Sequence, residues 1–119
     1  MHEIDRTRRV GALLKRELAT IIARELNDSR INSVTVTSVT VTKDLKQSVV
    51  YVCSSDEKTP SEQIEKLLNN ASRFLRRSLS QQVSLRITPT LLFKYDDTIQ
   101  RGMDLSALIT SLNRNKDAE

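Results

Sequence analysis

The chain has 119 residues, a length that suits one domain with one hydrophobic core. Its 19 Lys and Arg exceed its 15 Asp and Glu, but the resulting charge of +4 is too small by itself to identify a nucleic-acid-binding protein. No apolar run approaches the ~18 residues that a membrane-spanning helix needs, and the polar N terminus does not fit the apolar core of a signal peptide, so we expect a cytoplasmic protein.

The first predicted element is an amphipathic helix over residues 5–27. Its apolar residues recur at helical spacing on one stripe, which consists of Val10, Leu13, Leu14, Leu18, Ile21, Ile22 and Leu26. Asp5 is the predicted N-cap, and Asn27-Asp28-Ser29 is the predicted end. Arginines occupy much of the remaining surface, so the pattern predicts one core face and one basic face.

A β-hairpin is predicted to follow. Valine and threonine alternate over residues 33–42, which is typical of a strand. The valines of the first half of this strand are at even-numbered positions, and those of the second half are at odd-numbered positions. In a regular strand they would point to opposite faces, so we predict a β-bulge near Thr37 or Ser38, or else a strand buried on both faces along part of its length. A polar turn at residues 43–46 leads to a second strand at 48–54, and the short connection predicts antiparallel pairing.

A helical crossover comes next. Thr59 is the predicted N-cap, Pro60 takes the first helical position, and Glu62 completes a capping box. The apolar stripe then continues to about residue 81.

Residues 85–96 predict a third strand, and Pro89 within it removes one backbone donor, which favours an edge strand or a bulge. A last helix is predicted after Asp97 or Thr98, and residues 113–119 should fray.

The element order α-β-β-α-β-α predicts an α+β fold, in which one three-stranded mixed sheet carries the helices on one face. The helical crossover permits a parallel pairing of the last two strands and should be right-handed. We expect a single domain over residues 1–119, with its core at about residues 5–112.

No arrangement of residues predicts catalysis. His2 and Cys53 are the only histidine and cysteine, so no zinc site of the usual kind is expected. Gly11 and Gly102 are the only glycines, which excludes a glycine-rich phosphate loop. The adjacent carboxylates at 96–97 are explained by a helix cap. We therefore predict a protein that is not an enzyme and needs no cofactor or metal.

The basic residues are unevenly distributed. Residues 66–95 contain no acidic residue but six cations, namely Lys66, Arg73, Arg76, Arg77, Arg86 and Lys94. Twelve of the 19 cations are arginines, whose planar guanidinium groups suit phosphate oxygens. This stretch indicates either a surface for an anionic polymer or a solvated helix face that keeps the protein soluble.

The order of elements is similar to a type II KH domain, but the crossover lacks the GxxG loop with which KH domains clamp RNA. With this difference, nearly the whole chain resembles the bacterial ribosome-binding factor A (RbfA) family. The resemblance rests on RTRRVGALLKREL, VTVTKDLKQSVVYV, NASRFLRRSL and, most specifically, LRITPTLLFKYDDTIQRGMDLSALI at residues 85–109.

This resemblance implies an assembly factor that binds the small (30S) ribosomal subunit and helps to mature 16S ribosomal RNA, including its 5′ end, notably during growth in the cold. It also implies an Ala-x-Gly kink between the crossover helices in place of the GxxG loop. The matching positions are Ala71, Ser72 and Arg73, so arginine stands where the family pattern has glycine.

Our hypothesis is that basic side chains bind the RNA backbone and that the protein acts as a monomer. The predicted RNA-binding residues are Arg6, Arg8, Arg9, Arg16, Arg73, Arg76, Arg77, Arg86 and Lys94. Two alternatives remain at this point: a generic RNA-binding module for other RNAs, and a protein-interaction adaptor whose helical faces carry the affinity.

Overall fold

The computed structural model describes residues 3–97 and 109–110, and of residues 3–5 only the backbone. The elements in chain order are α1 (Glu3–Glu25), β1 (Val34–Val41), β2 (Gln47–Ser54), α2 (Ser61–Asn70), α3 (Ser72–Gln82) and β3 (Thr90–Tyr95), with a short 3-10 turn at Ser29–Ile31. The predicted last helix lies outside the described residues except for Ile109 and Thr110, which are helical. Helix α1 begins at Glu3, so Asp5 lies within the helix and its prediction as the N-cap is wrong.

The three strands form one mixed sheet in the order β1-β2-β3. β1 and β2 are antiparallel, and β2 and β3 are parallel, which confirms both predicted pairings. The β-bulge is confirmed as well, because Val36 pairs with Val52 whereas Ser38 pairs with Tyr51, leaving Thr37 as the extra residue. The inserted residue places all four valines of β1 on the face that packs against the core.

Helices α1, α2 and α3 pack on one face of this sheet, as the sequence predicts, and the core between them is almost entirely aliphatic. The buried apolar residues are Leu14, Leu18, Ile21, Ile22, Ile31, Val36, Val50, Val52, Ile64, Leu68, Leu75, Leu79, Leu91 and Phe93. Among the helices of residues 3–97, none combines the length and the apolar character that crossing a bilayer requires.

Helix α1 lies unusually close to β1 at Gly11. A Cβ atom built on Gly11 would stand 2.8 Å from the backbone carbonyl oxygen of Val39, closer than real Cβ atoms approach other atoms. The helix can pack at this distance only because the residue has no side chain. Gly11 therefore fixes the separation between helix and sheet.

Helix α2 shields the outer edge of β3. The side-chain amide of Asn69 donates to the carbonyl oxygen of Phe93 at 3.0 Å and accepts from the Phe93 N–H at 2.8 Å. The Glu65 carboxylate accepts from the Tyr95 N–H at 3.0 Å. These backbone groups face away from β2, so two side chains of α2 take the place of a further strand.

Two further predicted boundaries are wrong. β3 begins at Thr90 rather than at Leu85, because Pro89 cannot donate to the ladder and residues 85–89 take an irregular path. Helix α2 begins at Ser61 with Pro60 as its N-cap, and Thr59 makes no capping bond to it. The Thr59 hydroxyl lies instead 3.4 Å from a carboxylate oxygen of Asp56.

Replacing Gly11 with alanine tests the close packing of α1 on β1. Alanine improves intrinsic helix propensity by about 1 kcal/mol. The added methyl group, however, would collide with the backbone carbonyl group of Val39, and such overpacking costs about 1–3 kcal/mol. We expect a lower free energy of unfolding in urea. Gly11→Ser should be at least as destabilising, whereas a stabilised Gly11→Ala variant would contradict the contact with Val39.

Replacing Asn69 with alanine tests the shielding of β3. The N–H and C=O of Phe93 lose both partners in a part-buried position, and we expect the free energy of unfolding to fall by about 1–3 kcal/mol. Asn70→Ala is the matched control because Asn70 is the exposed neighbour on the same helix. Equal urea midpoints for the two variants would refute the role of Asn69.

Candidate nucleic-acid interface

The crossover is interrupted at Ala71, between α2 and α3. Ala71 has φ −92° and ψ 3°, outside the helical region, and its N–H is shared by the carbonyl oxygens of Leu67 and Leu68. Helix α3 then restarts, with the Leu75 N–H donating to the Ala71 carbonyl oxygen at 2.9 Å. The break thus needs no glycine: Ser72 and Arg73 are already the first residues of α3.

Helix α3 and the irregular segment before β3 enclose an open groove of about 620 Å³. We call it the arginine groove, and its lining residues are Arg73, Arg76, Arg77, Ser80, Arg86, Ile87 and Thr88. Four of these are arginines, and none is acidic. The segment at 85–89 brings Arg86 to the three arginines of α3, which the sequence separates from it by nine residues or more.

Arg76 has a structural task in this groove. Its Nε and Nη2 atoms donate to the carbonyl oxygen of Thr88 at 3.0 and 2.8 Å. These two bonds hold the segment before β3 against α3, and they occupy part of the guanidinium group. Arg73, Arg77 and Arg86 are exposed and make no ion pair among the described residues, so their guanidinium groups face solvent with their donors available.

A second groove, of about 400 Å³, joins the first at Arg86 and Ile87. We call it the turn groove, because it lies between the start of α1 and the β1–β2 turn. It is lined by Arg6, Val10, Lys43, Asp44, Leu45, Leu85, Arg86 and Ile87. The structure therefore brings together Arg6 and Arg86, which are both predicted RNA-binding residues. It adds Lys43, which was not among the predicted RNA-binding residues.

The other predicted RNA-binding residues lie apart from these grooves. Arg8 and Arg9 are exposed on α1 but line neither groove. Arg16 is ten residues beyond Arg6 on the same helix, about 15 Å along its axis at 1.5 Å per residue, and pairs with Glu17 at 3.5 Å. Lys94 points away from the helices, since it alternates with the buried Leu91 and Phe93 on β3.

The two grooves can bind a chain of phosphates. Guanidinium groups offer paired donors to phosphate oxygens, and several cations without interleaved acids raise the local potential. Stacking on bases has little support, because Phe93 is buried and Phe74, exposed by 44 %, is outside both linings. No three His, Cys, Asp or Glu side chains cluster as metal ligands within the described part of the chain.

Comparison with known proteins agrees with the fold and with the resemblance. A family model described as "Ribosome-binding factor A" matches residues 6–109. A ribosome-binding factor A of Nitrosococcus oceani is 48 % identical over 107 residues, which cover 90 % of this chain and 84 % of the relative.

Solved structures are similar as well. The crystal structure of ribosome-binding factor A from Thermus thermophilus is 34 % identical, with a TM-score of 0.64 over 73 % of this chain and 92 % of that one. A model of the Thermus thermophilus protein fitted into a cryo-EM map of a 30S–RbfA complex is 34 % identical, with a TM-score of 0.62 over 73 % of this chain and 91 % of that one. The family match over most of the chain and these relatives show that the chain belongs to the ribosome-binding factor A family.

Proposed function

We propose that this protein binds the small ribosomal subunit through 16S ribosomal RNA and assists a late step of its assembly, including maturation of the 16S RNA 5′ end. Family membership supports the ribosomal target, as does the Thermus thermophilus relative fitted into a 30S complex. The observation that carries the RNA contact is the arginine groove, where four arginines from two segments meet without an acidic residue in the lining.

The mechanism needs no covalent chemistry. Arginines of the groove neutralise backbone phosphates and release counterions, which supplies affinity with little base readout. The rigid anchoring of the groove, by Arg76 and by the packed face of α3, selects RNA whose phosphates match the spacing of the arginines. The protein stabilises that RNA conformer through its differential affinity and so favours one folding outcome of the ribosomal RNA.

Exchanging Arg73 and Arg77 for glutamate tests the groove as the RNA contact. We expect the double variant to lose co-sedimentation with small subunits by at least tenfold, with a salt slope shallower by about one per lost phosphate contact. Thermal stability should be unchanged because both side chains are exposed and lack ion pairs among the described residues.

The matched control is the double variant Lys15→Glu/Lys58→Glu, which makes the same charge change at two exposed residues that line neither groove and have no ion pair among the described residues. Equal losses for the two variants would mean that net charge, not the groove, carries binding. Binding that survives in Arg73→Glu/Arg77→Glu and is insensitive to nuclease would favour a protein-interaction adaptor. Crosslinked RNA other than 16S would favour a generic RNA-binding module.

The role in assembly has its own test. In a bacterial strain that lacks its ribosome-binding factor A, the wild-type chain should lower the amount of 16S precursor with an unprocessed 5′ end and restore growth in the cold. The Arg73→Glu/Arg77→Glu variant should do neither at equal expression. Precursor levels measured by primer extension that are the same for both chains would contradict the proposed step.

Arg76 should behave differently from its neighbours. Arg76→Ala removes both donors from the Thr88 carbonyl and frees the segment that carries Arg86, so we expect a measurable loss of stability, about 0.5–1.5 kcal/mol. Arg77→Ala makes the same truncation one residue later and should leave the urea midpoint unchanged. If the two variants unfold at the same urea concentration, Arg76 does not anchor the groove.

A further inference from the structure

The turn groove differs from the arginine groove in its apolar lining. Its apolar lining residues are Val10, Leu45, Leu85 and Ile87, and three cations line the same groove, namely Arg6, Lys43 and Arg86. The arginine groove has only Ile87 as an apolar lining residue. A concave, largely apolar surface with a small number of charged groups is typical of a site that binds a small ligand group.

Asp44 is the one acidic residue in the lining, and hydrogen bonds within the turn hold it. Its Oδ1 atom accepts from the Thr42 hydroxyl at 2.6 Å and from the Lys46 N–H at 3.0 Å. The Thr42 hydroxyl first, and then the Lys46 N–H, lower the pKa of Asp44 below its ordinary value, so the carboxylate is ionised. Three cations and one carboxylate give the lining of the groove a net positive charge. The hydrogen bonds of Asp44 also stabilise the β1–β2 turn, which forms one side of the groove.

The turn itself adopts a costly conformation. Leu45 has φ 61°, the only positive φ of a non-glycine residue in the part of the chain that the structure describes. A leucine in this left-handed region costs on the order of 1 kcal/mol, where glycine or asparagine would fit without strain. The strained residue places its half-buried side chain in the groove lining, beside Val10 and Leu85.

The two grooves adjoin, because Arg86 and Ile87 line both of them. A nucleotide base has flat apolar faces and is carried by a ribose with a phosphate on either side. This combination matches a lining that contains both apolar residues and the cations Arg6, Lys43 and Arg86. A duplex presents its phosphates but keeps its bases stacked inside, so an unpaired nucleotide is the part of an RNA that can place a base against the apolar lining.

We infer that the turn groove is a subsite for one unpaired nucleotide of the bound RNA, with the base on Leu45 and Ile87 and the flanking phosphates at Arg86 and Lys43. This inference rests on the proposed RNA-binding function and goes beyond it, because it assigns a site and a ligand class to a groove that the arginine contacts do not need.

The test uses two RNA probes: a blunt RNA duplex, and the same duplex with one unpaired nucleotide inserted in the middle. The wild-type chain should bind the second probe roughly tenfold more tightly, and Leu45→Asn should reduce that affinity to the level of the blunt duplex. Asparagine tolerates the left-handed conformation of the turn, so the variant should fold with an unchanged or higher melting temperature.

Leu92→Asn is the matched control, because Leu92 is an exposed leucine on the opposite face of the sheet. It should keep the tenfold preference. Equal wild-type affinities for the two probes, or equal effects of the two variants, would overturn the subsite. So would a Leu45→Asn variant that keeps both RNA affinities but loses small-subunit binding, since that result assigns the groove to a ribosomal protein.

A failure of the proposed RNA-binding function would give different results from a failure of the subsite. In that case neither probe binds in a salt-dependent way, or Arg73→Glu/Arg77→Glu leaves the affinity for both probes unchanged. Failure of the subsite alone leaves salt-dependent binding of both probes through the arginine groove and removes only the preference for the unpaired nucleotide.

Discussion

The paired hydrogen bonds between Asn69 and the backbone of Phe93 are the contact on which the rest of the structure depends. β3 lies at the edge of the sheet and pairs with β2 on one side only, so the N–H and C=O groups of its outer side need partners. The amide of Asn69 offers one donor and one acceptor in the geometry of a neighbouring strand. Helix α2 is therefore fixed along the edge in both position and direction.

The placement of α3 follows from this anchor. The helix break at Ala71 comes two residues after Asn69, so the direction of α3 is set relative to a helix that cannot shift along β3. In the middle of α3, Arg76 donates two hydrogen bonds to the carbonyl oxygen of Thr88, just before β3 begins. Helix α3 is thus connected to β3 through α2 and to the segment before β3 through Arg76, and these two connections position its exposed arginines.

The same geometry shows how the crossover of this KH-like fold is built without a glycine loop. A glycine loop lets the RNA backbone approach main-chain N–H groups closely. In this chain the break at Ala71 is a single non-helical residue, and Arg73 stands within the first turn of α3, where arginine is a good helix former. The groups that we propose to bind RNA are therefore long, charged side chains rather than main-chain amides.

The sequence by itself predicted the order of the elements up to β3, the antiparallel hairpin and the apolar faces, because each depends on residue periodicity within a short segment. It also indicated a β-bulge near Thr37 or Ser38, with a strand buried on both faces as the alternative, and the strand pairing then showed Thr37 to be the extra residue. It also determined the family, through motifs spread over the chain. The start of β3 was misplaced because the apolar parity of residues 85–96 continues through Pro89, whereas the backbone pairing cannot.

Only the tertiary structure decided which cations share a surface. Arg86 joins the arginines of α3, and Arg6 and Lys43 join Arg86, across separations in sequence that no local pattern records. Arg16 and Lys94 carry the same charge in similar patterns, yet they lie on other faces. The tasks of Asn69 and Arg76 were equally hidden, since both depend on backbone groups of a distant segment. The sequence specifies which residues are charged, but the tertiary packing determines which charged residues lie next to one another.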